Sequence, residues 1–429
     1  MNRLEFLRKA GALAAAGAVS PLLVSSLHAR RTGANDRIRI GLIGCRSMGW
    51  VDLSDALLVP EVECVALCDV DAHVLESRAA DLEKRTGKRA DLYSDYRKLL
   101  ERNDLDAVII ATPDHWHCRQ MVDACAAGKD VYVEKPVANS IAECERMVAA
   151  ARRYGRVVQV GQQQRSGNHW HEMKRYLDSG KLGRIAKVNV WANFSYACIL
   201  GAVPDQPAPE WLDYDMWLGP AAMRPYNPKR LHGSWRMFWD YGGGLITDWG
   251  VHLLDMALWG MDVKGMPNQV MGSGGNHQNP EDIAETFDTM SVVYTFDDFI
   301  INWDNVTVES GPYGRNYGVE FVGANGSLVA NRENWEVIPY KDRVEPVQCL
   351  PDYMDHRDHL VDFFLRMKDR GQTACPIENG ALCATYAHLG NISARTGKAI
   401  TYDDVRKRTG CKEADRLLTP AYRKPWKLD

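Results

Sequence analysis

Residues 41–50 read GLIGCRSMGW, and the fold of the first half of the chain turns on them. Gly44 and Gly49 stand where the first and third glycines of a G-x-G-x-x-G turn belong, and Arg46 stands where the second does. The middle glycine of such a turn lets backbone approach a pyrophosphate, so a side chain there counts against the motif on its letters alone. Its surroundings count for it. The β-branched run RIRIGLIG leads in, a helix is expected to begin near Met48, and Asp69 closes the next strand, VECVALCDV, twenty residues after Gly49. An acid at that place accepts hydrogen bonds from ribose hydroxyls and repels a 2'-phosphate, which favours NAD(H) over NADP(H). A helix N-terminus offers free N–H groups to phosphates, and Arg46 adds a cation beside them, consistent with a tightly held cofactor.

The same alternation continues. AVIIATP, VYVEKP and VVQVGQ read as further buried strands, separated by helical segments that end in glycine, such as DAHVLESRAADLEKRTG and SIAECERMVAAARRYG. Repeated β-α-β units predict a doubly wound parallel sheet of Rossmann type over residues 36–160. The pattern then changes over residues 161–429. A helix at NHWHEMKRYLDSG, a long strand GRIAKVNVWANFSY and a Pro-rich loop over 201–228 precede a helix in GGGLITDWGVHLLDMALWG. Strands TMSVVYTFDD and FIINWDNVTV, a hairpin turn at Asn325-Gly326 and two late helices follow. This predicts an α/β protein with a second, mainly antiparallel α+β domain, its late helices free to pack back on the first.

The chain has 429 residues, 45% of them hydrophobic and 25% charged, enough for two cores. A formal charge of -4 without basic runs excludes nucleic acid as the main partner and favours a small molecule. Residues 1–35 differ in character: Arg3, Arg8 and Lys9 precede the apolar run GALAAAGAVSPLLVSSL, with Ser26 or Ala29 available for cleavage. That is the layout of an export signal, and NRLEFLRKAG resembles a twin-arginine leader with Leu4 at the second arginine. Export to the periplasm is expected, with no membrane span after processing; an uncleaved leader acting as anchor is the alternative. The eleven cysteines form no C-x-x-C pair and no zinc spacing, so buried free thiols are expected and no metal is assigned. The histidine pairs in DHWH and NHWH lack a third ligand in sequence.

Two places carry chemistry. Lys135 ends VYVEKP, where a lysine facing a crevice can steady a developing alkoxide. Asp248 and His252 in TDWGVH are four apart on a helix, so the carboxylate is expected to orient an imidazole that takes a hydroxyl proton. Trp191, Trp211, Trp217, Trp235, Trp239, Trp249 and Trp259 offer stacking faces for sugar rings, although at least half are expected to be core. The best substrate loop is HGSWRMFWDYGGG, with His232, Trp235, Arg236, Trp239 and Tyr241; Arg165 in GQQQRSG is a further contact.

Taken in order, the nucleotide loop, ATPDHWH, EKP, GQQQR and TDWGVH resemble the Gfo/Idh/MocA oxidoreductases, the glucose-fructose oxidoreductase and inositol dehydrogenase family, over nearly the whole chain after the leader. Lys135 matches that family's EKP lysine, and Asp248 and His252 its D-x-x-x-H pair; Arg46 departs from its glycine pattern. The resemblance implies catalysis by Lys135, Asp248 and His252. Cofactor contacts are expected from Gly44, Cys45, Arg46, Met48, Gly49, Asp69, Thr112, Pro113, His115, His117, Glu134, Lys135 and Gln162. It also implies an open-faced sheet that mediates homo-oligomers. The expected activity is NAD-dependent oxidation of a sugar or glycoside, at C3 to a 3-keto product, with inositol less suited to an exported protein. The alternative is an NAD-dependent glycosidase working through transient C3 oxidation, elimination, water addition and re-reduction. That route needs one more base, from His232, Tyr241 or His169. A non-catalytic sugar or nucleotide sensor is the third reading.

Overall fold

The computed structural model describes residues 37–197, 200–349 and 356–428; the expected leader lies outside them. Six parallel strands form the first sheet: β1 (Ile38–Ile43), β2 (Val62–Cys68), β3 (Asp91–Tyr93), β4 (Ala107–Ile110), β5 (Asp130–Val133) and β6 (Val158–Val160). Their order is β3-β2-β1-β4-β5-β6. Helices α1 (Ser47–Ala56), α2 (Ala72–Thr86), α3 (Tyr96–Leu100), α4 (Asp114–Ala126) and α5 (Ile141–Tyr154) make the crossovers. β4, β5 and β6 are buried at every position, which is why they read as unbroken apolar runs rather than alternating ones. Asp71 caps α2 by accepting the Val74 N–H at 3.1 Å, and Gly87 ends it in the left-handed conformation. Ser140 and Glu143 cap α5 reciprocally: the serine oxygen accepts the Glu143 N–H, and the glutamate accepts the Asn139 N–H at 2.9 Å. Strand order reverses between β1 and β4, so a crevice opens beyond their carboxyl ends.

The second sheet has eight strands: β7 (Ile185–Ala192), β8 (Gln269–Gly275), β9 (Thr289–Thr295), β10 (Ile300–Asn305), β11 (Tyr317–Gly323), β12 (Gly326–Ala330), β13 (Trp335–Pro339) and β14 (Val347–Cys349). Their order is β14-β13-β12-β11-β7-β10-β9-β8, antiparallel except where β7 and β10 run parallel. Asn325-Gly326 does lie at the β11–β12 hairpin. Alternate residues of β9 and β10, such as Val292, Tyr294, Ile301 and Trp303, point into a core shared with three helices. These are α6 (Asn168–Asp178), α8 (Val251–Gly260), which follows the short α7 (Tyr214–Leu218), and α10 (Ile377–Thr396). The other face of the sheet carries exposed Met271 and Ile338. α9 (His356–Asp369) packs Leu360, Phe363 and Phe364 against Leu42 and Leu53 of the first unit, and α10 adds Ala381 and Ala384 beside Cys144 and Met147. Eight of the ten described cysteines are buried. No described helix is long and apolar enough to cross a membrane.

Candidate active site

At the end of β1 the chain turns on Gly44, φ 89°, where a Cβ would stand 2.7 Å from the backbone of Ala111. A Cβ on Gly49 would stand 2.1 Å from the Gly44 carbonyl oxygen, so this glycine lets α1 close on the turn. Position 46 makes no such demand: Arg46 has φ −93° and an exposed side chain. The positive φ falls instead on Ser47, at 39°. Asp69 holds the turn from the β2 end, accepting the N–H groups of Cys45 at 2.8 Å and Asp71 at 3.0 Å.

A cleft of about 1080 Å³ opens over this turn. Of the expected cofactor residues, Gly44, Arg46, Met48, Asp69, Thr112, Pro113, His117, Glu134 and Lys135 line it. Four do not. Cys45 is fully buried with its thiol on the Cys68 carbonyl, and Gly49 acts through packing alone. His115 bonds the Trp217 carbonyl at 3.1 Å inside an aromatic cluster, and Gln162 is buried with its amide on the Val251 carbonyl at 2.9 Å. Each is drawn inward because the neighbouring backbone needs its hydrogen bond or its small volume. A glycine turn with no room for Cβ atoms, an acid at the β2 end and an elongated cleft at the switch point fit a dinucleotide.

Lys135 brings the two halves of the molecule together. Its Nζ donates to the Asp248 carboxylate at 2.8 Å and to the Asp248 carbonyl at 2.9 Å. Arg236 Nε donates to the same carboxylate oxygen at 3.1 Å, and the Tyr196 hydroxyl donates to the other at 2.5 Å. Burial pushes the Asp248 carboxyl up, but the charges of Lys135 and Arg236 overcome it and hold the group well below the ordinary carboxylate range. The expected Asp248–His252 hydrogen bond is not formed. One turn of π-helix, Ile246–Gly250, precedes α8, and both oxygens of Asp248 are taken by the donors just named. His252 lies beside Trp249, ring centroids 6.1 Å apart, with Nδ1 sealed and without a hydrogen bond among the described residues. Burial, then the charges of Arg332 and Lys135, push its pKa well below the usual value, with Asp248 opposing. The imidazole is therefore neutral at neutral pH.

Among the expected substrate contacts, only Trp235 and Arg236 are brought to this cluster; they line the cleft, with the guanidinium 4.2 Å over the indole. His232 also lines the cleft, but beside Arg46 and Asp69, with Nε2 3.0 Å from Asp71 and its ring stacked on Trp211. That is the nucleotide's side. Arg165 is spent on Asp255, at 2.7 and 2.8 Å, which clamps the segment after β6 to α8. Trp239 lies under Arg395 and against Phe287, outside the cleft. Tyr241 is fully buried against Trp217 and His115, and His169 is fully buried too, so neither reaches a substrate proton. The adjoining glycines serve packing: a Cβ on Gly243 would stand 2.5 Å from Thr247.

Several residues had no signal in the sequence. Nothing marks their roles: Tyr196 ends the stretch expected as a strand and lies in the short 3-10 turn Ser195–Ala197, Asp71 caps α2, and Arg332 lies in a bend between strands. Asp114, at the start of α4, lines the cleft, its pKa raised by burial. Beneath Lys135, Asp52, Glu134 and His356 gather two carboxylates and an imidazole within 4.8 Å of one another. Neither oxygen of the fully buried Asp52 has a hydrogen-bond partner among the described residues. Burial, opposed by the charge of Lys135, pushes Glu134 up to about 7. Burial and the charge of Glu134 push Asp52 well above the carboxylate range, so the pair keeps a proton at neutral pH.

A Rossmann cleft whose strand-end Lys135 meets Asp248 at the start of a helix of the second unit, with His252 one turn on, is the layout of a dinucleotide-dependent oxidoreductase. The chain belongs to the Gfo/Idh/MocA oxidoreductase family: residues 38–162 match its NAD-binding Rossmann fold and residues 166–428 its C-terminal alpha/beta domain. It is 26% identical over 385 residues to the uncharacterized oxidoreductase YrbE of Bacillus subtilis, covering 86% of this chain and 98% of that one. A glycosyl hydrolase family 109 protein of Shewanella sp. is 31% identical over 172 residues, 36% of this chain and 37% of the relative. The WlbA dehydrogenase of Bordetella pertussis, solved in complex with NADH and UDP-GlcNAcA, has the same fold, with TM-score 0.63 and 20% identity over 86% of this chain and 99% of that one.

Proposed function

We propose that the protein oxidises a ring hydroxyl of a sugar or glycoside, at C3 to a 3-keto product, using NAD in preference to NADP. The observation that carries this is the Lys135–Asp248 pair, 2.8 Å long, standing where the dinucleotide cleft meets the second domain with a neutral His252 beside it. When bound, the nicotinamide accepts the hydride. The protein's part is to move the proton. His252, with Nδ1 sealed, takes the hydroxyl proton at Nε2, while Lys135 Nζ donates a hydrogen bond to the oxygen as negative charge develops. Asp248 aims Lys135 and Arg236 by accepting a hydrogen bond from each. Asp69 receives the ribose hydroxyls, its own oxygens already fixed by the Cys45 and Asp71 N–H groups, and a 2'-phosphate would meet its charge.

The partial similarity to a glycosyl hydrolase family 109 protein favours a second reading, hydrolysis through transient oxidation. Tyr241 and His169 are fully buried and His232 is engaged with Asp71, so the extra base would be Asp114, which lines the cleft within reach of the Lys135 charge. Aryl glycosides, free sugars and inositols, each followed for NADH formation and release of the C1 substituent, separate the two. Stoichiometric NADH supports the dehydrogenase, and aglycone release without NADH supports the glycosidase. Tight NAD binding with neither signal refutes both and leaves a sensor. Export on the leader and self-association through the outward face of the second sheet complete the proposal; cell fractionation and sedimentation test them.

A further inference from the structure

We propose that Arg332 binds a carboxylate on the substrate, so that the sugar taken by this site is a uronic acid or its glycoside; the proposal rests on the carbohydrate reading above. Arg332 lies in the turn between β12 and β13. Its guanidinium stands 4.6 Å over the indole of Trp249, and His252 packs against that same indole. Gln164 links the two a second way. Its Nε2 donates to the His252 carbonyl at 3.2 Å, and its Oε1 accepts from Arg332 Nε at 3.1 Å. Arg332 is thereby fixed one side chain away from the histidine that handles the proton.

What it lacks is a carboxylate in direct ion-pair contact. Arg165 is paired with Asp255 and Arg236 with Asp248, but among the described residues no carboxylate pairs with Arg332, and Nε is its one bonded nitrogen. The charges of Arg332 and Lys135 both bear on His252, and that of Asp248 opposes them. A half-buried guanidinium without a partner is costly, and its two terminal nitrogens present a planar fork that matches a carboxylate through two parallel hydrogen bonds. After burial, the charge of Arg332 is the largest influence depressing the basicity of His252. A substrate carboxylate on the fork cancels that charge and makes His252 a stronger base only when the correct sugar is seated.

The test measures binding of glucuronate, glucose and glucose 6-phosphate to the NADH-loaded protein by calorimetry, with oxidation of each followed in parallel on protein supplied with NAD. Glucuronate is expected to bind about tenfold or more tightly than glucose, as a charge-assisted bidentate contact requires. In Arg332→Gln the ratio is expected to fall to about one, with Arg332→Lys between, because the charge remains but the fork is gone. A thermal shift with NADH shows whether each variant is folded. Equal binding of glucuronate and glucose by the wild type, tighter binding of the phosphate, or an unchanged ratio in Arg332→Gln overturns the proposal. Preferential glucuronate binding without oxidation of any sugar overturns the redox reading and leaves this one standing. Oxidation of neutral sugars without uronate preference does the reverse.

Discussion

Replacing Asp248 with asparagine tests how the two halves of the site are held together. The side chain accepts from Lys135, Arg236 and Tyr196, and Lys135 and Arg236 are left without a counter-charge when it becomes neutral. Breaking a buried pair by removing the charge of one partner costs about 3–5 kcal/mol. Unfolding entropy is about 2.1 cal/mol/K per residue, or roughly 0.9 kcal/mol/K for this chain, so Tm is expected to fall by about 3–6 °C. Catalysis suffers more. Asp248 is the charge that raises the basicity of His252 and aims Lys135, so kcat is expected to fall about a hundredfold, in the range that general acid–base contributions span. NAD affinity is expected to persist, because the nucleotide turn rests on Gly44, Gly49 and Asp69 rather than on this pair. Differential scanning calorimetry, steady-state kinetics and NAD titration on the same preparation measure all three. A variant with unchanged Tm and kcat would show that the cross-domain pair is incidental and refute the reasoning.

Two further outcomes follow from the nucleotide half. Arg46→Gly is expected to weaken NAD, because the side chain lines the cleft beside the phosphate-binding helix start; equally tight binding removes the role given to it. The Asp52 carboxyl has its pKa raised in the folded protein, so its contribution is complete below the unfolded value, about 3.9, and is lost as pH rises through the folded one. Asp52→Asn should therefore gain stability relative to wild type as pH rises from about 5 to about 8, read as the difference in Tm; a pH-independent difference contradicts the raised pKa.

The first sheet is legible because β4, β5 and β6 are buried on both faces and α2 and α5 end at left-handed Gly87 and Gly155. β3 is not, since three partly exposed residues have no apolar run to announce them. Lys135 was found as a strand-end lysine, but its partner was misassigned. Spacing can pair only residues near in sequence, so Asp248 was given to His252, four residues on, while the fold gave it to Lys135, 113 residues away. Tyr241 and His169 were read as available polar groups, and packing against Trp217 and Trp170 took them into the core. Tyr196 and Arg332 are missed for the same reason in reverse: each acts through residues distant in sequence, Tyr196 through Asp248 and Arg332 through Gln164 and Trp249.

In the proposed mechanism His252 and Lys135 carry out proton removal, while the grip on the cofactor rests on the nucleotide turn and Asp69. The most direct measurement is single-turnover NADH formation with a substrate sugar, with NAD binding determined in the same samples, for wild type, His252→Ala and Lys135→Ala. Expected is full NAD binding in all three and loss of the NADH signal in both variants; wild-type turnover in either variant would contradict the claim.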